Sequence, residues 1–99
     1  NARNGMLFTA HGSINIKNKK WENDFSPIDE MNLTFVDTLY SKAYLKHLFS
    51  ANEYLGKQIA TIHNLGFYLW LVREARKQIL AGDFVTWKNK MVNQMDKRL

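Results

Sequence analysis

The segment Leu55–Leu80 reads LGKQIATIHNLGFYLWLVREARKQIL. Apolar or small residues, and at one point the aliphatic stem of an arginine, recur at Leu55, Ile59, Ile62, Leu65, Leu69, Val72, Arg76 and Ile79. Steps of three and four lay one continuous face along a helix. Between Leu65 and Val72 the other faces are apolar too, through Phe67, Tyr68, Trp70 and Leu71. A helix that is apolar on all sides over two turns is covered on more than one side. The segment is therefore predicted to be a central helix, packed inside its own domain and against something beyond it.

On its C-terminal side Gly82 suits the left-handed position that ends a helix. Asp83 is placed to cap a last helix, whose Phe84, Trp87, Met91, Met95 and Leu99 form a stripe. On its N-terminal side Asn52 caps a short turn, and the central helix is expected to begin at Gly56 or Lys57. Before that, Ser41 is a candidate N-cap for a helix with Tyr44, Leu45, Leu48 and Phe49 on one side and Lys42 and Lys46 on the other.

Nearer the N-terminus the period changes. Met6–Ala10 reads as a short strand, His11-Gly12-Ser13 as a turn, and Ile14–Lys17 as the return strand of a hairpin. His11 is then an exposed turn residue. The stretch from Pro27 to Asp37 is irregular, with Leu33, Phe35 and Val36 either loop residues pinned to a core or a very short strand. The class is α+β and mostly helical: an N-terminal β-hairpin followed by helices.

Ninety-nine residues make one small domain, and 45% hydrophobic and 13% aromatic residues are globular values. No apolar run approaches the roughly 20 residues of a membrane span, so the reading is a soluble protein without a membrane partner. The chain contains no cysteine, which excludes disulfides, thiolate catalysis and thiolate metal ligation. A net charge of +5 favours a polyanionic partner such as nucleic acid. Lys17, Lys19 and Lys20 cluster beside Trp21, an arrangement that either grips a phosphate backbone or forms a solvated edge. No glycine-rich phosphate loop, nucleophile elbow or acid pair is visible, so the residues alone do not show an enzyme.

Four strings add to this reading: RNGMLFTAHGSINIKNKKW, FSPID, YSKAYLKHLF and LGKQIATIHNLGFYL. In this order they resemble the C-terminal part of bacterial queuine tRNA-ribosyltransferases (tRNA-guanine transglycosylases), from Arg3 to about Gly82. The resemblance implies the last part of a TIM-barrel enzyme that exchanges guanine for a queuosine precursor at the tRNA wobble position. It implies residues 1–20 as a hairpin, 21–40 as a former metal loop and 41–99 as helices, with the catalytic barrel upstream. The family's nucleophilic aspartate precedes a PTRNARNG-like string, so no residue of this chain is expected to be catalytic and the chain alone should be inactive.

Further expectations come from the resemblance residue by residue. Arg3 matches an arginine of the loop that engages the anticodon, and with Lys17, Lys19 and Lys20 makes the expected RNA-binding set. Tyr40, Tyr44 and His47 match the family's dimer-interface helix, which implies a homodimer in the full-length, cytoplasmic enzyme. The family binds structural zinc through C-x-C-x-x-C and the histidine of a TIHN-like string. Here the cysteine positions hold Asn32, Thr34 and Asp37, and only His63 is retained. A closed zinc site needs four suitable ligands, so no metal and no other cofactor is expected. His63 should instead be a partly buried histidine bonded to a neighbour, with Leu33, Phe35 and Val36 holding the loop. The rival readings are a stand-alone basic RNA- or protein-binding module, and a non-catalytic subunit of the same fold.

Overall fold

In the computed structural model, which describes residues 2–99, the hairpin pairs β1 (Met6–Thr9) antiparallel with β2 (Gly12–Asn15). The register sets Met6 opposite Asn15 and Thr9 opposite Gly12. Asn1, the first residue of the expected hairpin segment, lies outside the described residues. The return strand begins two residues earlier than the alternation suggested. The reason is the last stretch of chain: the Ser13 amide donates to the Lys97 carbonyl at 2.8 Å, and the Leu99 amide to the Ser13 carbonyl at 2.8 Å. Residues 97–99 thus run parallel along β2, and Gly12 takes φ +149 where a side chain would meet the Lys97 carbonyl. Leu99 belongs to this edge and not to the last helix.

Four helices follow: α1 (Val36–Leu39), α2 (Lys42–Ser50), α3 (Tyr54–Ala81) and α4 (Phe84–Met95). Ser41 caps α2, its side chain accepting from the Tyr44 amide at 3.1 Å. Gly82 ends α3 at φ 81, as its lack of a β-carbon allows. Asp83 precedes α4 without a side-chain capping bond, contrary to the expectation for it. α3 starts two or three residues ahead of the expected Gly56 or Lys57, directly after Glu53. At 1.5 Å per residue its 28 residues extend roughly 42 Å, nearly the 46 Å long axis of the molecule.

The core lies where α2 and the first half of α3 meet the hairpin and the loop. It contains Leu7, Ile14, Ile16, Trp21, Ile28, Val36, Leu45, Leu48, Ile59 and Ala60. Burying each large aliphatic member stabilises the fold by about 1.5–3 kcal/mol. The buried line of α3 is Gly56, Ile59, Ala60, His63 and Phe67. It therefore runs beside, and not along, the face that the apolar spacing suggested. Leu65, Leu69, Val72 and Ile79 are about half exposed. α4 packs against α3 and, of its residues, buries Met91. One further expectation is corrected: Phe35 is 67% exposed and does not pin the loop. Trp21, beside the lysine cluster, is buried in the core. Among the described residues, no helix is long and apolar enough to cross a membrane.

Candidate functional site

The loop before α1 folds around one carboxylate. Asp37 is fully buried, and its Oδ2 accepts the backbone amides of Leu33 at 2.9 Å and Thr34 at 3.1 Å. Its Oδ1 accepts the Thr34 hydroxyl at 3.0 Å and meets Nδ1 of His63 at 2.8 Å. A buried charge persists only when its lone pairs are satisfied in this way. Leu33 thus helps hold the loop through its backbone amide, beside the buried side chain of Val36.

His63 is 1% exposed and reaches in the other direction to β1, where its Nε2 lies 2.9 Å from the Phe8 carbonyl oxygen. Its neighbour Asn64 continues the contact. The Asn64 Oδ1 accepts from the Phe8 amide at 3.1 Å, and its Nδ2 donates to the Met6 carbonyl at 2.9 Å. β1 pairs with β2 on one edge, so His63 and Asn64 satisfy the opposite edge as a third strand would. Two adjacent residues of one helix turn therefore fasten both the loop and the sheet.

Asp29 completes a buried group. Atoms of Asp29, Asp37 and His63 lie within 4.8 Å of one another, and all three residues are buried. The Asp29 Oδ1 accepts the Met31 amide at 3.0 Å, while its Oδ2 is buried without a protein partner. Burial by itself would favour a neutral imidazole. The hydrogen bond and charge of Asp37 outweigh it, helped by the Phe8 carbonyl and the Asp29 charge, and raise His63 above its ordinary value of 6.5. Burial likewise opposes the Asp37 charge, yet its bonds to His63 and Thr34 hold the carboxyl below the usual 3.8.

The four positions matched to the family's zinc ligands are not arranged as a ligand set. Asn32 is exposed at φ 54, and its Oδ1 accepts from the Thr38 hydroxyl at 3.1 Å. The Thr34 hydroxyl is spent on Asp37, and both nitrogens of His63 already face oxygen atoms. Two neutral oxygen donors, one carboxylate and one imidazole do not fit a structural zinc site.

Two of the expected RNA-binding residues, Arg3 and Lys17, flank the open end of the hairpin. The Ile16 amide donates to the Gly5 carbonyl at 2.9 Å, which brings the segments flanking the two strands together. A side chain on Gly5 would touch Lys17, so Lys17 lies over the turn that follows Arg3. Arg3, Lys17, Lys19 and Lys20 are all exposed. Arg3 also lines an open groove of about 490 Å³ with Tyr54, Lys57, Gln58, Thr61 and Ile62. No pattern in the sequence singles out Lys57. The Lys20 ammonium sits 4.8 Å from the Trp21 ring centroid, so part of that charge is engaged within the chain.

Of the expected interface residues, Tyr40 and Tyr44 stack with centroids 5.6 Å apart and planes 11° from parallel. Tyr44 and His47 are exposed on α2, three residues apart and so on neighbouring positions of one face. The sequence reading did not identify Asp29 or Asn64. Both stand in strings quoted for the resemblance, FSPID and TIHN, but no periodicity marks them.

Comparison with known proteins agrees with those strings. The family model described as TGT, queuine tRNA-ribosyltransferase, matches residues 1–97. A queuine tRNA-ribosyltransferase of Helicobacter pylori (strain ATCC 700392 / 26695) is 44% identical over 98 residues, covering 99% of this chain and 26% of that protein. One of Aquifex aeolicus (strain VF5) is 41% identical over 99 residues, with 100% and 26% covered. One of Neisseria gonorrhoeae (strain NCCP11945) is 47% identical over 88 residues, with 89% and 24% covered. The chain spans about a quarter of the length of the curated relatives it matches.

Proposed function

Because the chain belongs to the queuine tRNA-ribosyltransferase family, we propose that it is the C-terminal region of a tRNA-guanine transglycosylase. The parent enzyme then exchanges guanine for a queuosine precursor base at the anticodon wobble position, in the cytoplasm. The nucleophilic aspartate and the base pocket belong to the barrel preceding this region. The role of this part is to hold tRNA and to help two copies of the enzyme associate.

One observation carries the tRNA reading: Arg3, Lys17, Lys19 and Lys20 are all exposed, and Lys17 lies over the turn that follows Arg3. An exposed cluster of guanidinium and ammonium groups matches a phosphate backbone and releases counterions when it binds one. The homodimer reading is supported by the Tyr40–Tyr44 stack beside exposed His47, since aromatics with a polar edge suit interfaces.

Incorporation of labelled guanine into tRNA tests the assignment. The protein carrying the upstream barrel should incorporate it, and this chain alone should not. Incorporation by the chain alone would place the nucleophile here and overturn the division of labour. In the active protein, Lys19→Ala with Lys20→Ala should lower the log–log salt slope of tRNA binding by roughly 0.7–0.9 for each phosphate that is no longer neutralised. An unchanged slope would leave those lysines as solvated surface.

A further inference from the structure

We propose that in this chain the imidazole of His63 takes the structural place of the family's metal ion, joining the loop, β1 and α3 entirely through hydrogen bonds. Its two ring nitrogens face two different kinds of oxygen. Nδ1 faces a carboxylate oxygen of Asp37 at 2.8 Å, and Nε2 faces a peptide carbonyl oxygen, that of Phe8, at 2.9 Å. The carbonyl has no proton to give, so Nε2 carries one. The Asp37 carboxylate already accepts three protons from Leu33 and Thr34, so it acts as an acceptor for Nδ1 as well. With both ring nitrogens donating, His63 keeps no lone pair for a metal ion.

The charges agree with this geometry. Asp37 and Asp29 put two carboxylates beside one ring in a buried site. Among the described residues, no lysine or arginine is paired with either carboxylate, and His63 supplies the neighbouring positive charge. The connectivity agrees as well. A structural metal draws separate segments together at one point. Here the ring bridges residues 26 and 55 positions away in the chain, through its opposite nitrogens. Asn32, freed from ligation, turns outward to Thr38. In place of thiolates and a metal stand donors and acceptors bonded to one another, with only the Asp29 Oδ2 left without a protein partner.

Four measurements test the proposal, the first three on the protein as purified from zinc-replete cells. Elemental analysis should find zinc well below one per chain, and a strong chelator should leave the melting temperature unchanged. Stoichiometric zinc, or a melting temperature that falls with chelator and recovers with added zinc, would overturn it. Nitrogen-resolved NMR at neutral pH should show a proton on each ring nitrogen of His63. A ring with only one proton, or a ring nitrogen shifted by bound metal, would also overturn it. Finally, Asn32→Cys, Thr34→Cys and Asp37→Cys together restore the thiolate set around His63. This variant should take up zinc and become chelator-sensitive. If it folds and takes up none, the imidazole does not stand where a metal would, and that correspondence fails. If it does not fold, the first three measurements still decide.

Discussion

Gly66 lies directly beneath Thr34: a β-carbon built on this glycine would fall inside contact distance of the Thr34 methyl group. Thr34 cannot easily retreat, because its amide and hydroxyl are both bonded to Asp37. The glycine in the middle of α3 is thus explained by the loop that crosses it. In an isolated helix, Gly66→Ala would gain about 1 kcal/mol of propensity. Here overpacking costs about 1–3 kcal/mol, and the pinned Thr34 puts the cost toward the upper end. Net destabilisation is expected, read as a lower denaturant midpoint. A midpoint that rises would mean that the loop moves aside freely.

Asn64 carries two bonds to the free edge of β1. Asn64→Ala leaves the Phe8 amide and Met6 carbonyl partly buried without their partner, a loss of about 1–3 kcal/mol. Asn64→Asp should be worse, since a carboxylate then faces the Met6 carbonyl. Amide hydrogen exchange at Phe8 is the local readout for Asn64→Ala, where it should accelerate.

Phe35 gives the opposite expectation. From its place between Leu33 and Val36 it reads as core, yet it is 67% exposed. Phe35→Ala should change stability by no more than about 0.5 kcal/mol. A loss of several kcal/mol in a melt of the isolated chain would put the ring back inside.

The pair His63–Asp37 sets a pH window, in which the Asp29 carboxylate and the Phe8 carbonyl also face the ring. His63 is raised in the fold, so its contribution is complete below its ordinary 6.5 and is lost as pH climbs through the folded value. Asp37 is lowered, so its contribution is complete above its ordinary 3.8 and is lost as pH falls through the folded value. Stability should therefore be greatest between these two values and decline on the alkaline side. His63→Gln should flatten the alkaline decline when melting temperature is followed against pH. An unchanged decline would assign it to other groups.

What the sequence made legible divides along a physical line. The helices, the hairpin and the Ser41 and Gly82 caps follow from local chemistry, which adjacent residues determine. The buried line of α3 did not follow, because the apolar steps to Leu65, Leu69 and Val72 wind away from Ile59 and His63 to a face that is about half exposed. Periodicity reports which residues avoid water, not which neighbour covers them. The centre around His63 was half legible. The missing cysteines pointed away from zinc, and a bonded histidine was expected, but only a partly buried one, where His63 is 1% exposed. That Asp37, in a former cysteine position, would be its partner depends on the loop's path, as does the arrival of Asp29 and the role of Asn64.

The fastening of β1 by His63 and Asn64 makes α3 an indexed part, like a key whose cuts must meet their pins at set depths. One residue inserted or deleted between Tyr54 and Ile62 would turn His63 and Asn64 by roughly 100° relative to the start of the helix. The bonds to Asp37, Phe8 and Met6 would then break together, not one by one. The connections at Ala51–Glu53 and around Gly82 carry no such constraint on phase. Length variation in this region should accordingly collect at those two joints, and the span between Glu53 and Gly66 should tolerate substitution far better than any change of length.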